Sequence, residues 1–197
     1  NRDWSSKFNT TLRLGHDLLD RSINQVAATG RELVIYNLFN LDNAKVQNVG
    51  QYNQQYRIIG AFGEFTASYS NYLFLTLTGR NDWTSSLEKQ NRSFFYPSAS
   101  VSYIFSDMFK LPSWMNESKF RVSLAQIGKD ANPYSTSVVY VPTGAPINNV
   151  VRFTRNNAAG DPSLKPEKTT AFEVGTDLNF LNNRLGLNFT WYQSNSK

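Results

Sequence analysis

Apolar and polar side chains alternate with a period of two along the last thirty residues of the chain. Within residues 172–180 the even positions are apolar with one exception, and residues 185–192 alternate in the same way. Such a repeat predicts half-buried β-strands. Asn182 and Asn183 tolerate positive φ and predict a two-residue hairpin turn. That turn would pair Phe180 with Leu185 and place both apolar sets on one face.

Five further segments carry the same two-residue pattern, which gives seven predicted strands in all. A three-residue turn at 70–72 would pair Tyr69 with Leu73, so the apolar positions of these two segments also share a face. The pattern therefore predicts an all-β, antiparallel sheet. The five further segments are residues 7–18, 57–69, 73–80, 94–105 and 120–127.

The connections between these strands alternate between long and short. A compact soluble domain rarely contains a structureless connection above about 15 residues, yet two are expected here, at 19–55 and 128–169. Outer-membrane barrels have short turns on one side and long loops on the other. The order of the strands puts 19–55, 81–93 and 128–169 on one side, with 70–72, 106–118 and 182–183 opposite. The strand-like run at 32–36 would break this alternation, so we assign it to a loop.

Composition agrees with a transmembrane β-barrel segment. Hydrophobic residues make up 40%, mean hydropathy is −0.45, and no apolar run approaches the ~18 residues of a membrane helix. Alternating strands average to such mild polarity. Lysine and arginine are scattered despite a net charge of +5, so nucleic acid is not an expected partner. There is no cysteine for disulfides or metal binding. The chain starts with neither Met nor a signal peptide, and we expect a piece of a longer protein.

Several loop-to-strand junctions resemble those of the SusC/RagA family of TonB-dependent outer-membrane transporters. The Leu-Lys-Pro-Glu element is similar to one that TonB-dependent barrels share, whereas the Arg-Asn-Asp-Trp and Phe-Tyr-Pro-Ser elements are more particular to this family. The resemblance covers essentially the whole chain. The matching stretches are Arg80-Asn81-Asp82-Trp83-Thr84-Ser85-Ser86-Leu87, Asn91-Arg92-Ser93-Phe94-Phe95-Tyr96-Pro97-Ser98, residues 164–177 beginning Leu164-Lys165-Pro166-Glu167, and Asn182-Asn183-Arg184-Leu185-Gly186-Leu187.

This resemblance implies a 22-stranded barrel around an N-terminal plug, in the outer membrane of a Gram-negative bacterium. It implies a SusD-like surface lipoprotein as partner, energy from TonB with ExbB and ExbD, and import of glycan oligomers or peptides. Residues 1–197 would be part of the lipid-embedded barrel, without the plug, the TonB-contacting segment and the remaining strands. Movement of the plug and lid gates such transport, so we expect neither enzyme activity nor a cofactor.

Arg80, Asn81, Asp82, Trp83 and Arg92 are the candidate substrate-binding residues. They surround one predicted external loop at a strand exit. An aromatic face beside amide, carboxylate and guanidinium groups can bind a sugar or a peptide by stacking and by charge-assisted hydrogen bonds. In the alternative interpretation, Trp83 anchors the strand at the membrane interface while Arg80 and Asp82 hold the loop in place.

Other candidate chemistry is weaker. His16 is the only histidine and shares the parity of the apolar face, which favours an interfacial residue over a catalytic one. Asp42, with nearby Asn40 and Asn43, lacks EF-hand spacing, so no metal site is expected. Residues 60–63 lack the pattern of a phosphate-binding loop.

A further polar set shares the parity opposite to the apolar face. It is predicted to form a hydrated network along the inner wall, where contact with plug or substrate is the alternative. The set is Arg13, Glu64, Arg121, Glu173 and Asp177.

Two alternatives to an importer wall are left open by the residues themselves. The first is a passive or enzymatic outer-membrane barrel, and enzymatic activity would require His16 turned towards a mouth beside an acid or a serine. The second is a soluble β-rich ligand-binding module whose apolar faces meet inside a sandwich.

Overall fold

Eight strands of the chain form one antiparallel sheet in a computed structural model that describes residues 1–143, 147–148, 150–155 and 159–197. The order across the sheet is β1-β2-β3-β4-β5-β6-β9-β10, and β7 pairs with β8 inside the connection between β6 and β9. Within the described residues, no helix is long and apolar enough to cross a membrane. The all-β antiparallel prediction is confirmed. The strands are β1 Arg2–Ser5, β2 Phe8–Leu33, β3 Ala44–Tyr69, β4 Leu73–Thr84, β5 Ser93–Ile104, β6 Met115–Lys129, β7 Tyr140–Pro142, β8 Phe153–Arg155, β9 Glu167–Phe180 and β10 Leu185–Ser196, with short 3₁₀ turns at Leu41–Asn43 and Phe105–Asp107.

The predicted turn between β9 and β10 is confirmed. Asn182 and Asn183 have φ of 56° and 62°, and the Arg184 amide donates to the Leu181 carbonyl at 3.3 Å. Two successive positive φ angles define the type I′ turn, whose twist matches that of a hairpin. Phe180 therefore lies opposite Leu185, as predicted.

The turn at 70–72 is confirmed as well, because Tyr69 lies opposite Leu73. Ser70 and Asn71 have φ of 47° and 60° there.

The sheet has one apolar face and one polar face. We call the apolar one the outer face; Leu187 and Phe189, for example, are 53% and 60% exposed on it. No second layer covers this face within the described residues, so the sheet is not half of a sandwich. The opposite, inner face carries hydroxyl and charged side chains. One row of paired residues on the outer face is Ala67, Leu75, Val101, Val122 and Val174, and the neighbouring row on the inner face is Thr66, Thr76, Ser100, Ser123 and Glu173.

Ion pairs join neighbouring strands along the inner face. Arg13 on β2 pairs with Glu64 on β3. Arg121 on β6 reaches two acids of β9, with Nη1 at 2.9 Å from Asp177 Oδ2 and Nε at 3.6 Å from Glu173 Oε1. The predicted inner-wall network is confirmed.

The prediction of a loop at 19–55 was wrong. Strands β2 and β3 are each 26 residues long and pair from Phe8 opposite Tyr69 to Leu33 opposite Ala44. The last pair between β3 and β4 joins Ile58 to Thr84. Beyond it residues 20–33 and 44–57, which we call the finger, project by 14 residues per strand, or about 45 Å. Both of its faces mix polar side chains with apolar ones, such as Ile23 on one face and Val26 on the other, so no alternation revealed it.

The run at 32–36 was only partly a loop, since β2 continues to Leu33 and the turn follows it. Strand β1 and the hairpin of β7 and β8 were also missed. Polar residues dominate β1, and β7 and β8 have three residues each, too few for a two-residue repeat to be visible.

The predicted sides of the connections are confirmed, although their lengths do not alternate strictly, since 105–114 is as long as 34–43. The strands are connected at one of their two ends, which we call the loop edge, by residues 34–43, 85–92 and 130–166. At the opposite ends of the strands, which we call the turn edge, the connections are residues 70–72, 105–114 and 181–184. This follows from the uninterrupted antiparallel order of the strands.

Candidate functional site

Arg80 bridges two carboxylates on the inner face of the sheet, towards the loop edge. Its Nε donates to Asp82 Oδ1 at 2.7 Å, and its Nη2 lies 2.8 Å from Asp17 Oδ1 on β2. The guanidinium carbon is 5.8 Å from the ring centroid of Phe62 on β3. Negative charge exceeds positive charge within this group, so it can accept hydrogen bonds from a polar ligand.

Gly60 makes room for this bridge. A Cβ at position 60 would lie 2.2 Å from Arg80 Nη2 and 2.4 Å from Asp17 Oδ1. Since real Cβ atoms do not approach other atoms so closely, any side chain at this position would displace the ion pair. The glycine thus allows residues of β2 and β4 to meet across β3.

Asp82 is the buried part of the group, with 7% of its surface exposed. It accepts a hydrogen bond from the Tyr96 hydroxyl on β5 in addition to that from Arg80. The side chains of Arg80 and Asp17 remain 29% and 49% exposed. Asp82 therefore orients its neighbours, and a molecule inside the wall would meet Arg80 and Asp17 first.

A second carboxylate collects hydroxyl groups where β6 ends. Asp130 Oδ2 accepts from Tyr56 Oη and Ser86 Oγ, both at 2.8 Å, and from Thr84 Oγ1. Thr84 and Ser86 are 2% and 3% exposed. Burial, the hydrogen bond to Asp130 and its negative charge raise the pKa of Tyr56, in the finger, to about 12. These bonds fix the start of the 130–166 connection to both the finger and the end of β4.

The five predicted binding residues are divided between the two faces, because β4 continues to Thr84 and its side chains alternate. Arg80 and Asp82 come together on the inner face. Asn81 lies on the outer face and donates to Ser93 Oγ at 3.0 Å.

Trp83 also lies on the outer face, opposite Ile59, and is 41% exposed. Arg92 lies in the 85–92 connection, where its carbonyl accepts from the Thr84 amide at 3.0 Å. A role of these residues in cargo binding stays a prediction.

Asp17, Tyr96 and Asp130 were not among the predicted site residues. Asp17 has inner-face parity within the predicted strand 7–18, and Tyr96 has it within 94–105. Their parity was therefore visible, but their meeting with Arg80 and Asp82 depends on the register of four strands. Asp130 follows the predicted end of a strand and carried no periodic signal.

The remaining motifs lie elsewhere. His16 is on the outer face, opposite Ala61. The Asn43 side chain bonds to the backbone of Ile35 and Leu38, which shapes the finger tip. Residues 60–63 lie inside β3 rather than at a helix start. Within the described part of the chain, no group of three or more His, Cys, Asp or Glu side chains could hold a metal ion.

Comparison with known sequences identifies relatives along the chain. The family model for the TonB dependent receptor-like β-barrel matches residues 1–197. TonB-dependent receptor P3 of Formosa agariphila is 28% identical over 152 residues, which are 72% of this chain and 14% of that protein. TonB-dependent receptor SusC of Bacteroides thetaiotaomicron is 25% identical over 151 residues, which are 73% of this chain and 15% of that protein. The chain thus spans about a seventh of these relatives.

Solved structures share the fold. A structure of the RagAB peptide transporter superimposes with a TM-score of 0.87 at 18% identity, over 99% of this chain and 22% of that chain. The open-open state of the RagAB peptide importer gives 0.80 at 20% identity, over 97% and 21%. The resemblance to SusC/RagA transporters found in the loop-to-strand junctions is confirmed, and the chain belongs to the TonB-dependent receptor-like β-barrel family.

Proposed function

We propose that this chain forms part of the wall of a TonB-dependent outer-membrane importer for oligomeric nutrients, glycans or peptides. The observation that carries the proposal is the division of one single-layer sheet into an exposed apolar face and a hydrogen-bonded polar face. A barrel wall in lipid requires apolar residues outside and accepts polar residues inside. Family membership supports the same function.

The proposal places the loop edge outside a Gram-negative cell and the turn edge in the periplasm, because outer-membrane barrels have their longer loops outside. A SusD-like lipoprotein would cover the loop edge. TonB, with ExbB and ExbD, would act through parts of the protein beyond these residues. The barrel would be 22-stranded and enclose a plug.

Within this wall, Arg80 and Asp17 are charged groups that the inner face offers to cargo near the loop edge. Asp82, which accepts from the Tyr96 hydroxyl, holds Arg80, and Arg80 in turn pairs with Asp17. Arg92 extends the polar surface to the 85–92 connection. These groups would bind cargo by charge-assisted hydrogen bonds and release it as the plug moves, without making or breaking covalent bonds.

Uptake in cells tests the importer function. Cells producing the full-length protein are given labelled oligopeptides and, separately, labelled oligosaccharides. We expect uptake of one class that disappears when TonB is deleted or the gene for this protein is removed. Uptake that continues unchanged without TonB would indicate a passive pore and overturn the proposal.

Two loop variants test the cargo contacts. Arg92→Ala in the full-length protein should weaken binding of the imported oligomer severalfold, because a charge-assisted hydrogen bond is lost. Lys89→Ala removes an exposed cation from the same connection and is the matched control. Equal affinities of the two variants would remove Arg92 from the cargo site.

A further inference from the structure

The wall splits between β5 and β6 towards the loop edge. These strands pair only from Ser98 opposite Ala125 to Ile104 opposite Lys119. Closer to the loop edge, β5 pairs with β4 alone and β6 with β9 alone. Pro97 lies where the pairing stops and has no amide hydrogen with which to continue the ladder. An open cavity of about 1330 Å³ begins at this split and continues over the loop-edge ends of β9 and β10.

Contacts of two residues limit this cavity on two sides. The ring of Phe94, which is 6% exposed, lies against Gly128, where a Cβ would be 2.6 Å from its nearest ring atoms. At the loop edge the Asn91 side-chain amide donates to the carbonyls of Ser163 at 3.2 Å and Leu164 at 3.0 Å. The Phe94 ring blocks the cavity on the inner-face side, and Asn91 limits it at the loop edge. The cavity therefore opens on the outer face.

The lining changes from apolar to cationic towards the loop edge. Phe95 and Pro97 supply apolar surface, and Gln126 follows on the facing strand. The lysines of the lining lie closer to the loop edge. The cationic group consists of Lys165, Lys168 and Lys197, all exposed and all lining the cavity. One carboxylate, Glu167, also lines the cavity; it has inner-face parity on β9 and lies opposite Lys129.

Two of these lysines face each other directly. The backbones of Lys168 and Lys197 exchange hydrogen bonds of 2.9 Å in both directions, which makes them a cross-strand pair. Like charges in such a pair are destabilising. Within the described residues, neither these two nor Lys165 takes part in an ion pair. The lysines outnumber the single carboxylate of the lining, and this excess of positive charge beside a cavity favours an anionic ligand.

The depth of the lysines in the membrane specifies the kind of anion. Phe172 and Trp191 make an edge-to-face contact at 6.0 Å on the outer face of β9 and β10. Aromatic residues of barrels form girdles at the membrane interface. Lys168 lies four residues farther along β9, about 13 Å towards the loop edge, which is the level of the lipid headgroups.

We propose that the split between β5 and β6 binds a phosphorylated lipid of the outer leaflet. Its phosphate contacts Lys165, Lys168 and Lys197, and the beginning of its acyl part lies along Phe95 and Pro97. Phosphate oxygens and ammonium groups form charge-assisted hydrogen bonds. This inference rests on the membrane placement in the proposed function, and it adds a lipid site on the outside of the wall.

The test compares two triple variants of the full-length protein, purified in uncharged detergent. Lipid A with its phosphates is the probe, and retained lipid is measured by mass spectrometry after gel filtration. The test variant carries Lys→Gln at positions 165, 168 and 197; the control carries it at the exposed lysines 7, 45 and 110. We expect about fivefold weaker binding for each test lysine removed, and no change in the control.

Three results would overturn the lipid site: equal retention by both triple variants, equal binding of dephosphorylated lipid A, or full displacement of lipid A by inorganic phosphate at equal concentration. Folding of each variant is checked by heat-dependent gel migration, and Lys168→Gln alone replaces the triple variant if that one does not fold. Loss of insertion into lipid vesicles by the unmodified protein would instead contradict the membrane placement, so the two failures are distinguishable.

Discussion

Leu187 provides the strongest test of which face of the sheet contacts lipid. It lies on β10 opposite Leu178, with Leu185 and Phe189 as its neighbours on the outer face. The next residue, Asn188, is on the inner face, where its side-chain amide donates to Asp177. Adjacent residues of one strand thus sample the two proposed environments.

The expected penalties follow from depth and face. Leu187 is near the middle of the apolar stretch of β10, and Arg at the midplane of a barrel costs about 2–4 kcal/mol. Asn188→Arg should cost less than about 1 kcal/mol, since the guanidinium stays hydrated and can pair with Asp177. Asn195→Arg, on the outer face near the loop edge, should cost about 0–1 kcal/mol.

Folding of the full-length protein into lipid vesicles at graded urea concentrations measures these differences. Leu187→Ala controls for the lost side-chain volume, so the excess penalty of Leu187→Arg reports the charge. Equal penalties for Leu187→Arg and Asn188→Arg would refute the assignment of the two faces. Equal penalties for Leu187→Arg and Asn195→Arg would refute the assigned depth.

Three further predictions concern the loop edge. Gly60→Ala should lower the free energy of unfolding by about 1–3 kcal/mol, because its Cβ displaces Arg80. Gly50→Ala is the control and should change it little, since a Cβ there would have its nearest neighbour at 4.0 Å. Urea titration of both variants measures the difference. The pKa of Tyr56 is raised from 10.0 to about 12, so its contribution to stability is complete below pH 10.0 and is lost as the pH rises through about 12. Alkaline ultraviolet absorbance measures this titration. The difference in absorbance between the native protein and Tyr56→Phe should show a transition near pH 12 rather than pH 10. Asn43→Ala removes three hydrogen bonds that shape the finger tip, and amide exchange there should accelerate about tenfold or more; unchanged exchange would show that the tip is held by other contacts.

The strands with one apolar face could be predicted from sequence because two independent signals agree there. The two-residue repeat assigns faces, and turn residues with positive φ fix the register. At Asn182 and Asn183 these signals gave the pairing of Phe180 with Leu185 that the structure contains. One-sided burial produces the repeat, so it is reliable wherever one face is apolar and the other polar.

The finger and the Arg80 group could not be predicted from the sequence, each for its own reason. Side chains such as Asn24 and Gln54 are polar on both faces of the finger, so pairing there leaves no periodic trace. Arg80 meets Asp17 across an intervening strand, and the meeting depends on register over three strands and on Gly60 between them. Sequence parity placed Arg80 and Asp17 on compatible faces but could not bring them to the same level.

The structure also indicates which part of this wall can move. Between Pro97 and the turn edge, β4, β5, β6 and β9 each have backbone ladders on both sides, whereas towards the loop edge the ladder between β5 and β6 is absent. Side chains take over there: Asp130 gathers three hydroxyls, and Asn91 binds two carbonyls. Each such bond contributes only about 0.5–1.5 kcal/mol, and each can be exchanged for water or for a ligand without unfolding a strand. We therefore expect lower local stability at the loop edge, which in the proposed function is the edge that a SusD-like lipoprotein covers.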